Sequence, residues 1–73
     1  MNINNLQNNL KECRERIGLY QWQVAEKVGI SVRTYQDYEY GNSQPKAETL
    51  ILLAKALNSN VESLLNQSND KVS

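Results

Sequence analysis

The 73-residue sequence has no histidine, one cysteine, one proline and no phenylalanine. Without histidine there is no Ser-His triad, no Cys-His dyad and no histidine-ligated metal site. Cys13 alone closes no internal disulfide and builds no cysteine zinc site. No apolar run approaches the roughly 18–20 residues that a membrane span needs. Met1 to Asn9 is asparagine-rich, with no basic stretch leading into an apolar one, so it does not read as a signal peptide. A reduced, cytoplasmic setting is expected. Charge of one sign is lacking too: Lys+Arg is 8 and Asp+Glu is 8. The basic excess that most simply marks a nucleic-acid binder is therefore absent. No nucleophile–base pair, metal cluster or phosphate loop is visible, so neither an enzyme nor a cofactor is expected.

What is present is a small helical domain. Hydrophobic residues make up 40% and charged residues 22%, which argues against wholesale disorder. A chain this short buries only about 60% of the surface its unfolded form exposes, so its core is thin. Leu6, Leu10, Cys13 and Ile17 share one face of an amphipathic helix. Asn4 or Asn5 suits its start, and Gly18 its stop. Leu19, Val24, Ala25 and Val28 mark a second helix over about 21–28, with Gly29 after it. Ser31 is a natural N-cap for a third helix running to Tyr40. The loop Gly41-Asn42-Ser43-Gln44-Pro45 follows, and Pro45 or Lys46 opens a fourth helix with Leu50, Leu53, Ala54 and Leu57 inward. Asn58-Ser59-Asn60 breaks that helix, and Val61, Leu64 and Leu65 fit a fifth, capped by Asn60. No segment alternates long enough to predict a strand. The expected fold is all-α, five helices in one domain over 1–65, with a polar, frayed tail over 66–73. Cys13 is expected as an inert core residue.

The informative feature is the middle pair of helices. A turn of Gly29-Ile30-Ser31 is short and contains glycine, the signature of a helix-turn-helix with steeply crossing axes. Such a crossing needs a small residue at the contact, and Ala25 supplies it. Val24, Val28, Ile30, Tyr35 and Tyr38 lie where the two helices bury apolar atoms, with the tyrosine hydroxyls expected to reach solvent.

Residues 10–65 resemble the phage repressor and Cro family of helix-turn-helix domains, also called the xenobiotic-response-element family. Gly18-Leu19-Tyr20-Gln21, Val24 to Ser31 and Tyr38-Glu39-Tyr40-Gly41 carry the resemblance, continued by Pro45, Thr49-Leu50 and Leu53 to Leu57. The resemblance implies a compact, lambda-repressor-like bundle. It implies that Gln21 binds a DNA phosphate at a helix N-terminus. It implies that the third helix lies in the major groove with its N-terminal residues at base edges. It also implies that Arg14 and Glu39 pair to tie the first helix to the end of the third.

With Tyr35 taken as inward and about 100° per residue, Arg33, Asp37 and Tyr40 point away from the core. Val32, Thr34 and Gln36 flank them. Val32, Arg33, Gln36 and Asp37 are the base-reading candidates: Val32 for a thymine methyl, Arg33 for a bidentate guanine contact. Asp37 either braces the Arg33 guanidinium or accepts from cytosine; the bland alternative is a solvated i,i+4 pair. Thr34 and Tyr40 on the third helix are expected at phosphates, as are Asn42, Ser43 and Lys46 in the following loop, which is less basic than is usual for the family. Tyr20 departs from the family's small capping residue. Either its helix start is frayed or its hydroxyl serves a phosphate, and exposed Trp22 raises the same question.

The expected function is sequence-specific binding of double-stranded DNA by a transcriptional regulator, a repressor. A homodimer would read two half-sites of a pseudo-palindromic operator. Val61, Leu64 and Leu65 are the candidate dimer surface; the other reading is that they close the core. A second function stays open: a protein-interaction module, such as an antitoxin or adaptor, that binds DNA weakly or not at all. Zero net charge, Asp37, the neutral loop and the Tyr20/Trp22 pair favour it. Residues 6–17 and 41–57 each carry a net +1, whereas 18–40 and 58–73 each carry −1. Weak nonspecific attraction is therefore expected.

Overall fold

A computed structural model describes residues 5–66. Five helices occur in order: α1 (Asn5–Ile17), α2 (Gln21–Val28), α3 (Val32–Tyr40), α4 (Ala47–Ala56) and α5 (Val61–Leu65). Among the described residues there is no strand, and no helix is long and apolar enough to cross a membrane. The proposed Asn4 cap and most of the expected tail lie outside these residues.

Local chemistry accounts for the boundaries. The α2 start is intact although Tyr20 offers no side-chain cap. Gln23 Oε1 accepts the Tyr20 N–H at 2.8 Å, supplying one half of a capping box. Gly29 turns the chain at φ 86°, and both its N–H and that of Ile30 return to Ala25 O, at 2.8 and 3.0 Å. Ser31 Oγ then accepts from Thr34 N at 3.1 Å and starts α3. The fourth helix begins at Ala47, after Lys46 in extended conformation. Asn58, at φ 55°, ends it, and Asn60 Oδ1 caps α5 through Ser63 N at 2.8 Å.

Packing follows from these turns. α2 lies against α3 and α4, while α1 lies against α3 and α5. Leu10, Val24, Tyr35, Leu53, Leu57 and Leu64 are fully buried between them. Each such side chain contributes on the order of 1.5–3 kcal/mol. Ala25 is buried in the same core, and Cys13, half-buried, packs against it. Leu64 is thus a core residue and Val61 packs on the core, so of the expected dimer surface only Leu65 stands exposed. Asn9, which the periodicity does not single out, is buried. Its amide donates to Leu64 O at 2.6 Å and Asn66 O at 2.7 Å, fastening the end of α5 to α1. Those carbonyls have no partner within so short a helix, which explains a buried polar side chain there.

The α3 terminus gives a first test. Gly41 sits at φ 82° with its N–H on Asp37 O. A Cβ at Gly41 would collide with the Gln7 side chain, whereas one at Gly29 meets nothing within 4 Å. Alanine at either position is expected to cost about 1–2 kcal/mol through the left-handed backbone. Gly41→Ala should cost more than Gly29→Ala, because Gln7 must also move. Urea unfolding of the two variants checks the order.

Candidate nucleic-acid interface

The α2–α3 unit is held from behind by a buried polar network. Arg14, on α1, reaches Glu39, on α3, with two nitrogens: Nε to Oε2 at 2.6 Å and Nη2 to Oε1 at 3.2 Å. Its third nitrogen donates to Leu19 O at 2.9 Å. Gln21 Nε2 adds a bond to Glu39 Oε1 at 3.0 Å, and the Tyr35 hydroxyl donates to Oε2. The Glu39 side chain is 1% exposed, so four donors and no bulk water solvate its charge. This corrects one expectation: the Tyr35 hydroxyl does not reach solvent but ends on Glu39. The buried hydroxyl needs a partner, and α3 supplies one a single turn on.

Burial pushes the Glu39 carboxyl pKa up, but the hydrogen bonds from Arg14, Tyr35 and Gln21 outweigh it and hold it below its ordinary 4.5. Arg14 is raised, first by its hydrogen bond to Glu39. Tyr35 is raised by burial and then by the bond to Glu39. For a depressed carboxyl, the stabilisation is complete above pH 4.5 and is lost as pH falls through the lower folded value. For the raised phenol it is complete below pH 10.0 and is lost as pH rises through the higher folded value. The contribution of these two groups should therefore be constant between these limits and fall on both sides. In Glu39→Gln the Glu39 contribution to the acid limb should vanish. Urea midpoints across pH measure this, and an unchanged acid limb in that variant contradicts it.

The opposite side of α3 faces outward. Arg33 is 83% exposed at its side chain, and Val32 before it and Tyr40 two turns on are exposed as well. Arg33 Nε stands 3.7 Å from Asp37 Oδ1, a loose i,i+4 pair. Asp37 Oδ1 also lies 3.5 Å from Asn42 Nδ2, and its carbonyl takes Asn42 N at 2.9 Å. Asp37 therefore organises the α3 exit as well as facing Arg33. The Thr34 hydroxyl receives a bond from Ser31 Oγ at 2.9 Å. The Gln36 amide is not free: its Nε2 donates to Gln21 Oε1 at 3.1 Å, linking α3 to the start of α2. Gln21 Nε2 also lies 3.4 Å from the Tyr40 hydroxyl.

Between α1, the start of α2 and the end of α3 is an open polar cleft of about 350 Å³, lined by Asn8, Lys11, Arg14, Gln21, Glu39 and Tyr40. Lys11 and Asn8 were not among the sequence candidates. The signal available was only their place one turn before Arg14 and Glu12 on α1. Asn42, Ser43 and Lys46 are exposed along the following loop, and Tyr20 and Trp22 are exposed at the start of α2. Among the described residues no group of His, Cys, Asp and Glu is placed to hold a metal.

The geometry is thus two short helices joined by a Gly-Ile-Ser turn, the second fixed behind and bare in front. Residues 10–64 match the family described as Helix-turn-helix. The chain belongs to the helix-turn-helix family. It is 40% identical over 65 residues to YqaE of Bacillus subtilis, an uncharacterized HTH-type transcriptional regulator, covering 88% of this chain and 56% of that protein. It is 36% identical over 55 residues to RstR, a cryptic phage CTXphi transcriptional repressor of Vibrio cholerae, covering 75% and 49%. The chain spans about half the length of the curated relatives it matches. Among solved structures, the DNA-binding domain of the P22 c2 repressor superposes with a TM-score of 0.84 at 26% identity, covering 94% of this chain and 96% of that one. The FeII form of HppE superposes with a TM-score of 0.80 at 18% identity, covering 100% of this chain and 39% of that one. This second likeness shows the shared fold alone. A helix-turn-helix fold therefore does not by itself assign a function, and the outward face of α3 has to carry that argument.

Proposed function

We propose that this helix-turn-helix chain binds double-stranded DNA in a sequence-specific way and acts as a transcriptional regulator, a repressor. The observation that carries this reading is the two-sidedness of α3. Glu39 locks its inner side to α1 and α2, while Arg33 extends from its outer side. A helix held this way enters the major groove with its N-terminal side chains at base edges. Its likeness to a repressor's DNA-binding domain and to phage and bacterial regulators supports the same reading.

Val32 and Arg33 read bases, Arg33 by a bidentate contact to guanine. Gln36 joins them through its remaining amide oxygen, held in place by Gln21. Asp37 braces Arg33. Gln21, Thr34, Tyr40, Asn42, Ser43 and Lys46 contact the sugar–phosphate backbone, as do Tyr20 and Trp22 at the α2 start. One domain makes few base contacts, so a homodimer reading a pseudo-palindromic operator in the cytoplasm completes the reading. No catalytic step and no cofactor are involved.

The charge distribution sets the salt response. With Lys46 and Lys11 as the cations at the phosphates and Arg33 at a base edge, log affinity should fall with log salt at a slope of about −2 per subunit. Fluorescence polarisation with labelled duplex over a salt series, supported by Trp22 emission, measures this. A slope twice as steep would place other cations at the interface. No binding at low salt would favour the protein-interaction module instead.

A further inference from the structure

The outward face of α4 has no part in the reading above. Ile51 and Leu52 are 48% and 47% exposed there, although Leu50, Leu53, Ala54 and Leu57 around them fill the core. At about 100° per residue, Glu48 and Lys55 fall on one line down the middle of this face, with Ile51 and Leu52 on either side of it. Glu48 and Lys55 are two turns apart, about 10 Å along the axis. Neither enters a salt bridge among the described residues. The midpoint between them falls between Ile51 and Leu52.

Such a face is complementary to itself. A two-fold axis through that midpoint, perpendicular to the helix, lays Glu48 of one copy against Lys55 of the other, twice. It also gathers both copies' Ile51 and Leu52 at the centre. A residue contacting its reciprocal partner in this way is what a closed two-fold interface requires. We propose that this face is where a second copy of the chain docks, α4 against α4 and antiparallel. The aliphatic centre supplies affinity, and the charges fix the direction of pairing and disfavour the parallel one. The proposal stands independently of whether α3 reads DNA. It also moves the homodimer contact from α5, where Leu64 is buried, to α4.

With Glu48, Ile51, Leu52 and Lys55 as its contacts, the patch falls short of the roughly 20–30 residues a side of a standard interface, so association in solution should be weak and concentration-dependent.

Sedimentation velocity without DNA, from micromolar to millimolar protein, tests this. The unaltered chain should pass from monomer toward dimer as concentration rises. Glu48→Lys and Lys55→Glu should each weaken association about tenfold or more, since each sets like charges face to face. The double swap, Glu48→Lys with Lys55→Glu, should restore it. Leu52→Glu should abolish it with the unfolding midpoint nearly unchanged, and Leu65→Glu should leave it intact. Recovery in the double swap occurs only if the two positions face each other, so loss of fold cannot imitate it. A monomer at every concentration overturns the proposal. So does a dimer that survives the single reversals, a double swap that fails to recover, or a dimer lost through Leu65→Glu alone.

Discussion

Glu39→Ala is expected to cost about 3–5 kcal/mol of folding stability, the largest effect of any polar substitution in the domain. The carboxylate is almost wholly out of water and accepts from Arg14, Gln21 and Tyr35. Its removal strands the Arg14 guanidinium, itself only 12% exposed at the side chain, and leaves a fully buried phenol without a partner. Both groups then bear their desolvation cost uncompensated. In a domain of this size each kcal/mol lowers the melting temperature by about 4–8 °C, so the variant should be largely unfolded well below the melting point of the parent. Glu39→Gln keeps the volume and some of the hydrogen bonds but loses the charge facing Arg14, and should fall between. A cost under about 1 kcal/mol for Glu39→Ala would mean that the pair behaves as a solvated surface bridge. Calorimetry or urea unfolding decides between these outcomes.

Arg33→Ala is expected to remove about 1–3 kcal/mol of discrimination at one base pair in each half-site, and about twice that on an operator that two copies occupy. Stability should hardly change, because the side chain is 83% exposed and its contact with Asp37 is loose. The pattern of loss matters more than its size. A base-reading arginine relaxes preference at a single position and leaves the others as they were. Lys46→Ala should instead weaken all sequences alike and reduce the salt slope by about 1. If Arg33→Ala lowered affinity evenly across sequences, Arg33 would be a phosphate ligand rather than a reader.

The helices were legible because their ends carry the signals. Gly18, Gly29 and Gly41 occupy left-handed positions, and Ser31 and Asn60 cap through their side chains. Helical spacing placed Leu10, Val24, Leu53 and Leu57 inward, and they are buried. The network behind α3 was less legible. Helical spacing puts Glu39 one turn after Tyr35, but nothing in it shows that the two share a buried bond, nor that Gln21 and Gln36 meet across 15 residues. Such contacts depend on the angle between α2 and α3, which a linear pattern does not record. Asn9 was missed for a related reason: its partners are the carbonyls of a helix end 55 residues away. Leu64 and Leu65 look alike in sequence, yet the short α5 buries one and exposes the other.

The zero net charge keeps its meaning on the structure. With the α2–α3 unit slightly acidic, the proposed DNA binding would draw its affinity from placed hydrogen bonds and from pairing of copies rather than from bulk attraction. The measurement that tests this most directly is in vitro selection of duplexes from a random library, repeated with Arg33→Ala. A short enriched motif with a guanine whose preference disappears in the variant is the predicted result. Pools that stay random, or a motif unchanged by Arg33→Ala, would contradict the assignment of α3 as the reading helix with Arg33 at its base edge.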